Sequence, residues 1–493
     1  MSQGDGLSEP CRYDAILCGL GIEALALGAL LAKRGQKVLL LDWDDEPGAQ
    51  SFLCQDGFAF DSLPSFWMGM RPERPHPALA ELGLSVDWQP LDPGLQVILP
   101  RHRLSLYARE DLFWREMKRE FPHVSERLEI LFRRLEGLRG KMGEPLEREF
   151  ADPPRTLEAK WSQWRRVSFS PFAALLRGGM PSLSPHLKAV GGVKEASSLI
   201  DVLLLGFGGT KGENCSSVFA SLLFGLLREK VYYPHGGAKT VHETLSACFM
   251  GNGGEIWPIS RPVQMLLEGK EVRGIRMTEG VELRSRVLVG GPGLWEIYSA
   301  AGNRNERPRQ DSRPPLNQYL VLFLGVAQEV IHPEMKEHLL LLPKSARSSA
   351  GGRPIWMLLN PKREQARAPE GKRALSIMVP LPGNWRGNRA ELQAKAEELL
   401  GDLEEFMPFL SQHIHFQRVG IHRSFSMLQP GKRWGLRLAI SPLKQMGYPG
   451  LRAFSPQKNL FFIGELPAFG VGLRARIDAA YYWANLLAPF VEG

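Results

Sequence analysis

At 493 residues the chain is too long for one hydrophobic core of ordinary size, so two or three interleaved domains are expected. Its 44% hydrophobic and 23% charged residues make an ordinary globular balance, which excludes a disordered tail. The net charge of +8 is spread along the chain, with Lys and Arg interleaved with Glu. Such a surface favours an anionic ligand or anionic lipid, but it lacks the concentrated basic stripe of a nucleic-acid binder, so no nucleic-acid partner is expected.

The N-terminal "MSQGDGLSEPCRYD" lacks the basic-then-apolar plan of a signal peptide. No apolar run approaches the ~20 residues that span a bilayer. A cytoplasmic setting is expected, with peripheral membrane contact left open. The five cysteines, Cys11, Cys18, Cys54, Cys215 and Cys248, are odd in number and contain no CxxC pair, so neither a disulfide framework nor a zinc site is indicated.

"YDAILCG", residues 13–19, reads as a buried strand of a parallel sheet. Ile22 to Arg34 is rich in Ala and Leu and reads as a helix, with Gly35 as its stop. "KVLLLDWD" is a second buried strand, so strand, glycine turn, helix and strand make one βαβ unit. Loop and short strands follow. Residues 101–230 place Leu, Phe and Met at helical spacing among charges and read as an inserted helical region. "EVRGIRMTEGVELRSRVLVGG" reads as a hairpin leading to a strand, and the polar, Pro-rich 302–315 as a surface linker. Residues 316–440 hold strand-like runs, "QYLVLFLGVA", "PIWMLLN" and "RALSIMVPLP", and one helix. "NLFFIG" is a last strand, followed by a Gly-rich turn and the helical "RARIDAAYYWANLLAPF".

The chemistry sits at "CGLGIEALALG". Gly19 and Gly21 stand where the chain turns from strand to helix, and residues without Cβ there let backbone N–H groups approach a pyrophosphate at a helix N-terminus. Ala24 takes the place of the third glycine of G-x-G-x-x-G. Asp42, at the end of the second strand, is placed to accept hydrogen bonds from a ribose diol. NAD and FAD both use this pattern, and a βαβ unit with no ligand would share it.

Three further segments select between them: "DGFAFDSLPS", the block from "YYPHGGAKTVHETL" to "RSRVLVGG", and "NLFFIGELPAFGVGLRARIDAAYYWANLL". With "APEGKRALSIMVPLP", and in this order, they resemble the phytoene desaturase and carotenoid isomerase branch of the FAD-dependent amine-oxidase-like flavoproteins. The resemblance implies an α/β fold, with a Rossmann-like FAD-binding domain built from 11–100, 231–300 and 441–493. An α+β substrate domain would be inserted, its helical cap at 101–230 and its sheet at 316–440.

It also implies site residues. Gly19, Gly21 and Ala24 would face the FAD pyrophosphate and Asp42 the adenosine ribose. Val263 would meet the adenine through its backbone. Gly464 and Glu465 would lie over the ribityl–pyrophosphate region, and Gly470 and Gly472 near the flavin ring. Pro47-Gly48-Ala49-Gln50 stands where the family has Gly-Gly-Arg, with Gly48 near the phosphates. Glu465 is a candidate general base and Arg474 a candidate stabiliser of reduced, anionic flavin. The activity implied is redox chemistry or isomerisation of an apolar polyene or isoprenoid-like small molecule.

The opening segment also resembles Rab GDP-dissociation inhibitors and escort proteins. These imply a second reading, a non-catalytic lipid- or prenyl-binding module. An amine substrate of the wider flavoprotein family is a third. His413, His415 and His422 sit among strand-like residues without a carboxylate in ligand spacing, so no metal site is expected. The aromatic clusters "SFWMGM" and "AAYYWANLL" read as core or as the lining of an apolar tunnel.

Overall fold

The computed structural model describes residues 12–19, 21–42, 50–71, 73, 75–151, 183–189, 194–208, 211–215, 217–258, 262–269, 271–301, 316–343, 352–382, 384–425, 457, 459–463 and 472–491. The 302–315 linker therefore lies outside the described residues, as does 426–456.

Two seven-stranded sheets organise the chain. In the first, Glu255–Trp257, Val38–Leu41, Arg12–Cys18 and Glu282–Gly290 run parallel in that order. Glu271–Met277 and Pro262–Glu268 extend it as an antiparallel hairpin, and Leu460–Phe462 joins Glu282–Gly290 in parallel. Strands distant in sequence thus share one sheet. "VLLL" at 38–41 is buried throughout because helices cover both faces. Ala15, Leu17, Val38 and Leu40 face the helices Ile22–Lys33, Gly237–Gly251 and Leu473–Val491. Ile16, Cys18, Leu39 and Leu41 face Trp295 and Tyr298 of Pro292–Ala301. Each such Leu or Ile contributes about 2 kcal/mol by leaving water.

The second sheet runs in the order Ile414–Phe425, Leu316–Ala327, Lys372–Leu381, Ile355–Leu359, His338–Leu341, Leu95–Leu99 and His102–Leu106. Helix Arg389–Glu404 covers one face, packing Leu392, Ala396, Leu399 and Leu403 against Leu320, Leu322 and Leu339. The other face, with Val321, Phe323, Leu340, Trp356 and Met378, packs against helices from the 110–227 region.

One difference from the sequence reading concerns the start of the helical region. Residues 101–106 are not helical. Leu95–Leu99 and His102–Leu106 form an antiparallel hairpin on the edge of the second sheet, with Leu339 paired in parallel to Gln96. Pro100 and Arg101 supply the turn, and the buried run "LQVIL" needs the neighbouring strand to cover it. The helices begin at Glu110, and the sheet takes two strands from outside 316–440. A smaller sheet joins Trp67–Met68, Val231–Pro234 and Trp88–Leu91. Both aromatic clusters are buried: Phe66, Trp67 and Met68 in one, Tyr482 and Trp483 in the other.

Candidate functional site

The glycine corner lies at the carboxyl edge of the first sheet. Gly19 donates its N–H to the Leu41 carbonyl at 2.9 Å. Its φ of +114° belongs to the region glycine adopts freely, and a Cβ there would meet nothing within 4 Å. The space beside the backbone is therefore open. Gly21 caps the helix with no side-chain hydrogen bond to the first turn. One of the first amides, Ile22 N–H, donates to Ser51 Oγ at 3.3 Å. Ala24 is buried. One turn later Gly28 lets the helix pack closely, for a Cβ there would lie 3.2 Å from Leu17 of the sheet and 3.3 Å from Phe249 of the neighbouring helix.

Asp42 follows the second strand and is half-buried, its N–H donating to the Trp257 carbonyl at 3.0 Å. Gly19, Gly21, Ala24 and Asp42 are thus brought together at adjoining strand ends. Val263 is not brought there by the pairing. It lies at the start of Pro262–Glu268, at the opposite edge of the sheet from Val38–Leu41, and is 55% exposed. Gly48, Gly464, Glu465 and Gly470 lie outside the described residues.

The corner fits a diphosphate in its open backbone and helix N-terminus. One side chain, which the motif reading did not single out, stands in the way. The Glu23 carboxylate folds back over Gly21, Oε1 lying 2.6 Å from where a Cβ would stand. A carboxylate suits a helix N-terminus, and a bound diphosphate would have to displace it.

At the C-terminal turn, Gly472 has φ +105° and its missing Cβ would collide with the Phe66 carbonyl oxygen. Leu473 N–H donates to that oxygen at 3.0 Å. Arg474 donates to the carbonyls of Met68 and Gly69 at 3.3 and 3.4 Å and pairs with Asp478 at 3.4 Å. Asp478 in turn meets His76 at 2.7 Å. Buried Arg476 donates to the Pro64 carbonyl at 3.4 Å. These bonds tether the segment 64–69 to the last helix, and they engage Arg474 with backbone carbonyls and a carboxylate.

A second constellation lies between the two sheets. Asp61 Oδ1 accepts from Ala238 N–H at 3.0 Å and from Arg367 at 2.7 Å, and its Oδ2 accepts from the Tyr233 hydroxyl at 2.6 Å. Arg367 also donates to the Tyr233 oxygen and pairs with Glu364 at 3.6 Å, while Glu364 accepts from Gly236 N–H at 2.9 Å. Asp61 and Glu364 thereby serve the first amides of helix Gly237–Gly251, after a turn that needs two consecutive positive-φ glycines. Burial, and less strongly the Asp61 carboxylate, push the Tyr233 hydroxyl well above its usual range. Burial opposes the Arg367 charge, yet Asp61, Tyr233 and Glu364 outweigh it and raise the Arg367 pKa. His338 lies against Tyr233 with ring centres 5.7 Å apart, and burial lowers its pKa to about 4. Sequence reasoning missed this cluster because Asp61 and Arg367 are 306 residues apart and no spacing rule joins them. Its one trace is the quoted "DGFAFDSLPS". Among the described residues, no group of three or more His, Cys, Asp or Glu is placed to hold a metal ion. No described helix is long and apolar enough to cross a membrane.

No protein-family model matches the chain. Similar sequences include a chloroplastic prolycopene isomerase of Daucus carota, 24% identical over 84% of this chain and 70% of its own length. A 4,4'-diapophytoene desaturase of Methylomonas sp is 21% identical over 79% and 77%. An all-trans-retinol 13,14-reductase of Danio rerio is 22% identical over 92% and 83%. Among solved structures, a putrescine oxidase variant superposes with a TM-score of 0.59 at 14% identity, covering 98% of this chain and 99% of its own. A Rab GDP-dissociation inhibitor of Plasmodium falciparum gives 0.57 at 12% identity, covering 97% and 98%. The chain has the fold of the amine-oxidase-like flavoproteins and is related in sequence to their carotenoid isomerase and desaturase branch.

Proposed function

We propose that the chain is an FAD-dependent oxidoreductase acting on an apolar polyene or isoprenoid-like substrate by desaturation, saturation or isomerisation. The observation that carries this reading is the open corner at Gly19, set at the carboxyl edge of a sheet whose strands come from the start, middle and end of the chain. The backbone at Gly19 and Gly21, with Ala24 behind it, would hold the diphosphate, and Asp42 the ribose. Gly48, Gly464, Glu465, Gly470 and Gly472 are the proposed remaining contacts, while Val263, at the far edge of the sheet, is left out of the proposed site. Bound flavin would supply hydride chemistry.

What the chain's own residues add is a buried aromatic cluster. Phe66, Phe207 and Trp356 pack at 5.1 to 6.4 Å between ring centres, and Trp356 Nε1 is tied to the Gly206 carbonyl at 3.1 Å. Such a cluster excludes water, and a long apolar molecule laid against it would be oriented by shape. It suits a polyene better than an amine. The names of the sequence relatives, an isomerase, a desaturase and a reductase of polyenes, support the same substrate class.

An absorption spectrum of the purified protein, with and without added FAD, tests the reading. Flavin bands that co-purify or appear on addition are expected, and Gly19→Val should remove them; because φ +114° strains any side chain there, circular dichroism of the variant is taken alongside to separate loss of binding from loss of fold. Glu23 favours a second reading, because a carboxylate over the corner opposes a diphosphate. In that reading the chain is a prenyl- or lipid-binding module like the GDP-dissociation inhibitors. A protein that stays colourless with FAD and captures a prenylated peptide would establish it.

A further inference from the structure

His338 is an exception on an apolar face. It opens the strand His338–Leu341, whose alternation puts Leu339 and Leu341 against helix Arg389–Glu404 and Leu340 on the opposite face. Its ring lies on that opposite face, edge-on to Phe66 at 5.1 Å and against Tyr233 at 5.7 Å. Across the sheet the row continues through Leu358 to Ser376 and Phe323. His338 is 3% exposed, and its Nδ1 is buried with no hydrogen-bond partner among the described residues.

A buried imidazole nitrogen without a partner carries a desolvation penalty, which a hydrogen-bonding group brought against it would remove. Phe66 locates it further. The same residue that meets His338 edge-on accepts the Leu473 N–H through its carbonyl, so one residue separates the imidazole from the C-terminal glycine turn. The Asp61–Arg367–Tyr233 cluster closes the other side and holds Tyr233 against the ring. The charges facing His338 are therefore Asp61 and Arg367, and they offset one another.

We propose that His338 is the seat for an uncharged oxygen-bearing terminus, an alcohol or a carbonyl, on an otherwise apolar polyene or isoprenoid ligand. This rests on the substrate class given above. A neutral imidazole both donates and accepts, so it serves a hydroxyl or a carbonyl equally, and its burial disfavours the protonated form that would pair with a carboxylate. The hydrocarbon would lie against Phe66, Phe207, Trp356 and Leu340, which are buried together on the same face as the imidazole.

The test is a fluorescence titration of the purified full chain with three probes: all-trans-retinol, the hydrocarbon with a methyl group in place of its hydroxymethyl, and all-trans-retinoic acid. Wild-type protein is expected to bind the alcohol about tenfold more tightly than the hydrocarbon, the worth of one hydrogen bond of about 1.4 kcal/mol, and to bind the acid less well than the alcohol. His338→Leu should erase the preference for the alcohol and leave hydrocarbon affinity within about twofold. His338→Gln, which keeps a neutral donor and acceptor, should restore it. If His338→Leu does not fold, His338→Met, which likewise offers no hydrogen-bond donor, takes its place with the same expected loss of preference. Equal wild-type affinity for alcohol and hydrocarbon, or a preference that survives in His338→Leu, overturns the seat and leaves the substrate class standing. Binding of none of the probes overturns both.

Discussion

Gly472 and Phe66 meet without room for a methyl group: the last helix enters under the carbonyl of Phe66, and only a glycine at φ +105° lets it do so. This contact couples the C-terminal turn to the segment that follows Asp61. It also places Phe66 between that turn and His338.

Gly472→Ala is therefore expected to destabilise the protein by about 2–4 kcal/mol, combining backbone strain with a steric clash against a backbone oxygen. A denaturant titration measures it. Loss of FAD binding at temperatures where the fold persists would follow if the turn closes over the flavin. A variant as stable as wild type would show that the turn is not held as described.

Glu23→Gln removes a negative charge beside the corner while keeping side-chain volume. FAD affinity should rise by about tenfold, or about 1.4 kcal/mol, because a like charge within a few ångströms of a diphosphate no longer opposes it. Calorimetric titration at low and high salt checks the sign, and the gain should shrink as salt rises. An unchanged affinity would mean that Glu23 swings clear at no cost.

Breaking the buried pair should be costly. Asp61→Asn or Arg367→Met leaves its partner buried without full compensation, so a loss of about 3–5 kcal/mol is expected from each. The double variant should cost less than the sum of the two, since neither charge then remains alone. Tyr233→Phe removes one hydrogen-bonding hydroxyl from the same network, and about 1–2 kcal/mol is expected. Urea unfolding of wild type and the four variants measures all of these.

His338 gives a pH dependence of definite sign. Its folded pKa, about 4, lies below the ordinary value of 6.5, so the unfolded chain binds the proton more readily. Its contribution to stability is fully present above pH 6.5 and falls away between about pH 6.5 and 4, by about 3 kcal/mol in all. Comparing the stability–pH curves of wild type and His338→Gln isolates it from the carboxylates, because the variant should lack this step. Identical curves would place His338 in contact with water.

The βαβ unit was legible in the sequence for a local reason. "YDAILCG" and "KVLLLDWD" are apolar on both faces, and a glycine corner and an uninterrupted helix separate them. The hairpin at 271–290 and the strand at 460–462 were legible on similar grounds. The edge hairpin at 95–106 was less so. Its burial comes from the strand that pairs Leu339 with Gln96, which no local window contains, and the helices that follow set the pattern of the wider stretch.

Of the site, residue types and spacing marked Gly19, Gly21, Ala24 and Asp42, because a diphosphate corner is built within one short unit. Glu23 was visible as a residue, but its carboxylate's return over Gly21 depends on the fold of the turn. Arg474 reads as a free cation until the structure shows it bound to Met68 and Gly69 carbonyls and to Asp478. By itself the sequence determined where the chain turns and which faces are apolar, since those follow from periodicity and glycine freedom over a few residues. Only the tertiary structure decided which distant charges meet, Asp61 with Arg367 above all, and that His338 faces an apolar wall. Such pairings are set by the packing of whole sheets, and a charge can be buried only where that packing brings it a partner.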